Sequence, residues 1–168
     1  MTTTVRRAPQ FRLGDRALEA KRQAERQKYD LPPRPEQAIP KVPDDITELG
    51  DRDLIGMMTL LTRWAEHLGV QLAMAEVDER WAEAGMDKER SLALLAGTAK
   101  DVTQRKAKAY ESEAYLEAEE KYHEAMAYRK LVSVLFTNSE RWSALLSREL
   151  TRRVNRDPRE RRSERYNT

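Results

Sequence analysis

Seven arginines fall within the last seventeen residues, Arg152, Arg153, Arg156, Arg159, Arg161, Arg162 and Arg165, and no lysine follows Lys130. A guanidinium group holds its charge at any physiological pH. Its planar fork of N–H donors matches the oxygens of a phosphate or carboxylate two at a time. Arg148, Arg152 and Arg156 stand four apart, a spacing that lines side chains along one face of a helix. Chemistry of this kind is non-covalent. It suits the capture of a polyanion, with Tyr166 placed to stack on an unpaired base as aromatic groups do in single-strand binders. The competing reading is local, since cations near a helix C-terminus also complement its dipole. Lesser basic groups stand at Arg6, Arg7, Arg12 and Arg16, and again at Arg105, Lys106 and Lys108.

Covalent chemistry finds no comparable footing. The chain has no cysteine, which removes thiolate nucleophiles, disulfides and cysteine-bound zinc together. His67 and His123 are the only histidines, and neither has a second histidine at the spacing of a metal site. No G-x-S-x-G elbow is present, and no glycine loop is followed by Lys-Ser or Lys-Thr to cradle a phosphate. Paired acids such as Asp78-Glu79 and Glu119-Glu120 read as solvated helix faces. The expectation is a protein that is not an enzyme and uses neither cofactor nor metal.

The elements that position the arginines are helical. Charged residues make up 36% and aromatic ones 7%, a balance that suits long helices packed along a seam rather than a layered core. From Asp51, a natural N-cap, apolar residues recur every three or four positions at Leu54, Met58, Leu61, Ala65, Leu68, Leu72 and Ala75, with Trp64 beside them. Gly97 and Thr98 mark a stop, and the stretch from Val102 to Tyr115 is short of large apolar residues, so its helix is expected to fray or break. A second seam then reads Tyr122, Ala125, Tyr128, Leu131, Leu135, Trp142 and Leu145, with Asn138 at a position that often fixes register. The fold class expected is all-α, a long antiparallel helical hairpin of coiled-coil type over residues 44–156. Before it lies a basic arm, 1–43, with a short helix from Asp15 to about Tyr29 and a strap at 30–43 holding five prolines, which reads as a linker or as an arm along the bundle. After it comes the arginine-rich tail, 157–168.

Charge is segregated along this layout. Residues 44–100 hold twelve acids against six bases, while residues 1–43 hold ten bases against five acids and 151–168 hold seven against three. Such polarity favours head-to-tail contact between subunits, or binding of a polyanion by the ends. Two helices leave much of their seams uncovered, so a homo-oligomer is expected. No run approaches the ~20 apolar residues of a membrane span, and the start lacks the apolar core of a secretory signal. The expected location is intracellular.

Tyr128-Arg129-Lys130-Leu131, followed by Leu146-Ser147-Arg148-Glu149-Leu150-Thr151-Arg152-Arg153, looks like segments of tailed-bacteriophage proteins. The hairpin from about Leu54 to Arg153 is similar in layout to UvsY-type recombination mediators. Those are small helical ring-forming proteins that bind single-stranded DNA and load a RecA-like recombinase. That family carries basic residues and paired tyrosines in mid-chain. Here the corresponding stretch is Trp81-Ala82-Glu83-Ala84-Gly85-Met86-Asp87-Lys88, acidic and without tyrosine. The resemblance therefore implies an accessory protein of DNA recombination or replication in the host cytoplasm, with single-stranded DNA held by Arg148, Arg152, Arg153 and the tail, and a recombinase or other phage protein as partner. A virion structural or head-assembly protein, using the same helices and arms, is the alternative.

Overall fold

A computed structural model describes residues 14–98 and 101–166, with side chains described as far as Asn155. The elements are helices α1 (Asp15–Arg26), α2 (Asp51–Ala96), α3 (Val102–Tyr110) and α4 (Glu113–Tyr166), with a 3-10 turn at Ile46–Glu48. The described residues contain no strand. Local chemistry explains the boundaries. Asp45 caps the 3-10 turn, its carboxylate accepting from the Thr47 amide at 2.8 Å and the Thr47 hydroxyl at 2.6 Å. Asp101 caps α3 by accepting from the Thr103 amide. The expected break after Val102 falls at Ser112, whose hydroxyl donates to the Ala109 carbonyl and accepts from the Tyr115 amide. That serine stops one helix and starts the next.

The helical backbone of α4 runs past Arg156, where the sequence suggested an end, to Tyr166 and includes Pro158. A proline costs a helix one internal hydrogen bond, and helices often bend at such a site rather than stop.

The chain divides into two units. The first combines the described part of residues 1–30 with Leu72–Val132, and the second combines Leu31–Gln71 with the rest of α4 from Ser133.

In the second unit the early part of α2 packs antiparallel to α4. Leu54, Leu61 and Leu146 are fully buried, and Val42, Ile46, Leu49, Met57, Met58 and Leu150 close around them. Further along α2, the Thr62 and Ser143 hydroxyls share a hydrogen bond at 2.9 Å. Beyond that the Phe136 ring lies against Gly69, 3.4 Å from where a Cβ would stand. The proline strap is tied to α2 rather than running free. Trp64 donates from Nε1 to the Gln37 carbonyl at 2.9 Å, and His67 donates from Nδ1 to the Pro32 carbonyl at 3.3 Å. The Arg34 guanidinium sits 5.8 Å from the centre of the Trp64 ring.

In the first unit the later part of α2 packs with α3, the start of α4 and α1. Met74, Ala75, Ala109, Tyr115 and Val132 are buried. Arg129 pairs with Glu79 across the two long helices. The apolar face of α1 is thin, with Ala17 its one buried residue. It docks through the fully buried Ala17, a Gly14 amide donating to Asp78 at 2.8 Å, and Arg16 stacked 4.4 Å over the Trp81 ring.

The seam on α2 has the phase read from the sequence, with Leu54, Leu61, Trp64 and Leu68 buried and Leu72 half-buried. On α4 the face turned to α2 lies one residue further on. Val132, Ser139 and Leu146 are buried at seven-residue intervals. Leu131, Trp142 and Leu145 remain 57%, 40% and 38% exposed, while Tyr128 and Leu135 are half-buried. Leu131, Trp142 and Leu145 are therefore not the line of contact with α2, while Tyr128 lines a groove together with residues of α2. Asn138 is exposed as well.

Candidate nucleic-acid interface

The arginine cluster begins where α4 passes the start of α2, and its members have different surroundings. Arg153 is a clamp. Its Nε donates to Glu149 at 2.8 Å, and its Nη1 donates to the Leu49 carbonyl and to Asp51, each at 2.7 Å. Its Nη2 reaches the carbonyls of Thr47 at 2.9 Å and Ile46 at 3.4 Å. One guanidinium thus closes the 3-10 turn, the first residue of α2 and the turn of α4 around Glu149 and Arg153 into a single knot. Only arginine has enough donors in one plane for this. The donors that would meet a phosphate are committed inside the chain.

Arg152 is held differently. Its Nε and Nη2 each donate to Glu149 at 2.7 Å, a two-point fork, while half of its side-chain surface stays in solvent. Glu149 is itself 7% exposed and receives both arginines. Hydrogen bonds from Arg152 and then Arg153 hold its carboxyl down to about 2. The reciprocal bonds to Glu149 raise both guanidinium groups. A carboxyl whose pKa is depressed in the folded state stabilises it fully above the unfolded value and loses that contribution as pH falls towards the folded value. Asp45, also lowered by its bonds from Thr47, works in the same direction. Thermal unfolding should therefore shift to lower temperature between pH 4.5 and about 2. Glu149→Gln should flatten that limb without removing it, because Asp45 still titrates. An unchanged acid limb in Glu149→Gln would show that the knot contributes nothing there.

Arg148 is exposed, and so is Arg141 seven residues before it. Spacings of seven and four place Arg141, Arg148 and Arg152 on one side of α4. Trp142, 40% exposed, follows Arg141 in the chain and so stands about 100° further round the helix. Arg141 did not stand out in the sequence because it lies apart from the terminal cluster, yet its place one heptad before Arg148 was a readable sign. Arg156, Arg159, Arg161, Arg162 and Arg165 lie beyond the described side chains, as Arg6, Arg7 and Arg12 lie outside the described residues.

The other candidates are placed as follows. Lys106 and Lys108 are exposed on α3, and the half-buried Arg105 packs its stem 3.1 Å from the Cβ position of Gly97. His67 meets the Trp64 ring edge-on, and His123 lies against Tyr122. No group of three His, Cys, Asp or Glu side chains able to hold a metal occurs among the described residues. No described helix is long and apolar enough to cross a membrane. No family model, curated protein or solved structure matches the chain.

Proposed function

We propose that the protein is a non-enzymatic accessory factor of phage DNA recombination or replication. It holds single-stranded DNA through the arginines of the late part of α4 and associates with itself through its helices. The observation that supports this most is the exposed line Arg141, Arg148, Arg152 on α4, with Trp142 exposed about a quarter-turn further round the helix. Such a face offers guanidinium groups to successive phosphates and an indole to a base, and it reads no sequence. Glu149 holds Arg152 in one orientation before the strand arrives, so less side-chain freedom is lost on binding.

The test is fluorescence anisotropy with labelled single-stranded and duplex oligonucleotides across a salt series. Binding to the single strand should be preferred and should weaken steeply with salt. The double substitution Arg148→Ala/Arg152→Ala should weaken it by about 10- to 100-fold and reduce the log–log salt slope by about 1.4, two phosphate contacts at ~0.7 each. Trp142→Ala should cost about 1–3 kcal/mol, the worth of one stacked base, with little change in slope. Absence of binding at low salt would remove this reading in favour of a virion or head-assembly component, for which the exposed apolar residues of α4 would be subunit contacts. A truncation meant to delete the tail should end after Asn155. A cut before Arg152 would also remove the Arg153 clamp and confuse loss of binding with loss of fold.

A further inference from the structure

The first unit contains a groove that the DNA-binding reading leaves without a role. Its volume is 840 Å³, and it opens where α1, α2 and α4 meet. Small residues explain it. Ala82 and Gly85 on α2 face Ala118 and Ala125 on α4, and no large side chain from either helix fills the space between. Around this apolar floor stand five acids, Asp15, Asp78, Glu89, Glu117 and Glu124, against two bases, Arg16 and Lys121. Trp81 forms part of the wall and is 53% exposed. Its ring already carries one guanidinium, that of Arg16, at 4.4 Å. The negative field reaches the opposite wall, where burial and then the charge of Asp78 push the Tyr128 hydroxyl up. This surface repels nucleic acid. An apolar floor, a ring of carboxylates and a tryptophan face with a guanidinium on it match a segment rich in arginine.

The chain carries such a segment. Of the seven arginines in residues 151–168, Arg152 and Arg153 are engaged by Glu149, and the five beyond them stand against three acids, the reverse of the groove's balance. We propose that the groove of the first unit is the docking site for the arginine-rich C-terminal segment of a second copy of this chain. The proposal rests on the self-association included in the functional reading and names its surface. A contact of this kind is heterologous, since each copy offers a groove to one neighbour and a segment to another, and it propagates into a ring or a filament. Single-stranded DNA would seek the same arginines and so compete with the contact.

Three measurements on the full-length chain test it. Light scattering across a concentration series should show association that weakens with added salt. Glu117 and Glu124 are exposed, so Glu117→Lys/Glu124→Lys should keep the helical circular dichroism and bind single-stranded DNA at least as tightly as the wild type, because the competing contact is lost. It should shift association towards monomer by at least about tenfold in concentration. A fluorescent peptide of residues 151–168 should bind the wild-type chain and bind the double variant about tenfold less tightly. Finally, Arg159→Glu/Arg162→Glu, which spoils the segment and spares the groove, should be monomeric alone. Mixed with Glu117→Lys/Glu124→Lys it should form a one-to-one pair that grows no further. Equal peptide binding by both grooves, or unchanged association of the groove variant, overturns the docking site while leaving self-association in place. A wild-type chain that stays monomeric at every concentration overturns both.

Discussion

Arg153→Ala lowers the thermal unfolding midpoint by roughly 5–10 °C, the expected result of removing a group that satisfies five acceptors at once. The carbonyls of Ile46, Thr47 and Leu49 lose a charged donor, and so do Asp51 and Glu149. Glu149 is buried, and Arg152 alone must then hold it. The damage extends to the core beneath, because Ile46 and Leu49 pack on Leu54, Leu61 and Leu146. Arg153→Lys recovers only a minor part, since an ammonium group offers three donors from one point and cannot span acceptors on three segments. Circular dichroism melts at pH 7 check both variants. A midpoint for Arg153→Ala within about 2 °C of the wild type would show that the knot is incidental. The same substitution should leave the salt slope of DNA binding unchanged, unlike Arg148→Ala/Arg152→Ala, which touches exposed groups.

That contrast marks what a linear sequence hides. Arg152 and Arg153 are adjacent and identical in type, and composition treats them alike. Their fates diverge because neighbours on a helix point 100° apart. One meets the carbonyls that end the 3-10 turn, and the other meets water. The partners of Arg153 lie about a hundred residues away in the chain, beyond the reach of any local pattern. The two long helices were legible because apolar residues such as Leu54, Leu61 and Leu68 recur at a helical period over a long stretch without proline. The tie between the strap and α2 was not, since it depends on main-chain carbonyls of Pro32 and Gln37 that every residue possesses. The groove was equally hidden. Alanines read as good helix formers, and only the packing of two alanine faces shows that they leave a space.

The phase of α4 is where sequence periodicity was ambiguous, and it yields a test with a large effect. Two apolar lines run side by side along this helix. One passes through Leu131, Leu135, Trp142 and Leu145, and the other through Val132, Phe136, Leu146 and Leu150. Both satisfy a helical period, so the pattern alone cannot say which meets α2. The structure buries the second more deeply, with Val132 at 4% and Leu146 at 0% exposure against 57% for Leu131 and 38% for Leu145. Leu146→Ala should therefore cost about 2–5 kcal/mol, the range for a leucine lost from a packed core. Leu145→Ala should cost less than about 1 kcal/mol. Urea unfolding of the two variants, one residue apart, decides between the faces. If the exposed line serves as a contact between copies, Leu145→Ala and Trp142→Ala will weaken association while each chain keeps its own stability. Equal destabilisation by Leu145→Ala and Leu146→Ala would mean that α4 presents a different face to α2. The arginines assigned to the DNA-binding side would then have to be assigned again, because Arg141, Arg148 and Arg152 are placed by that same helical phase.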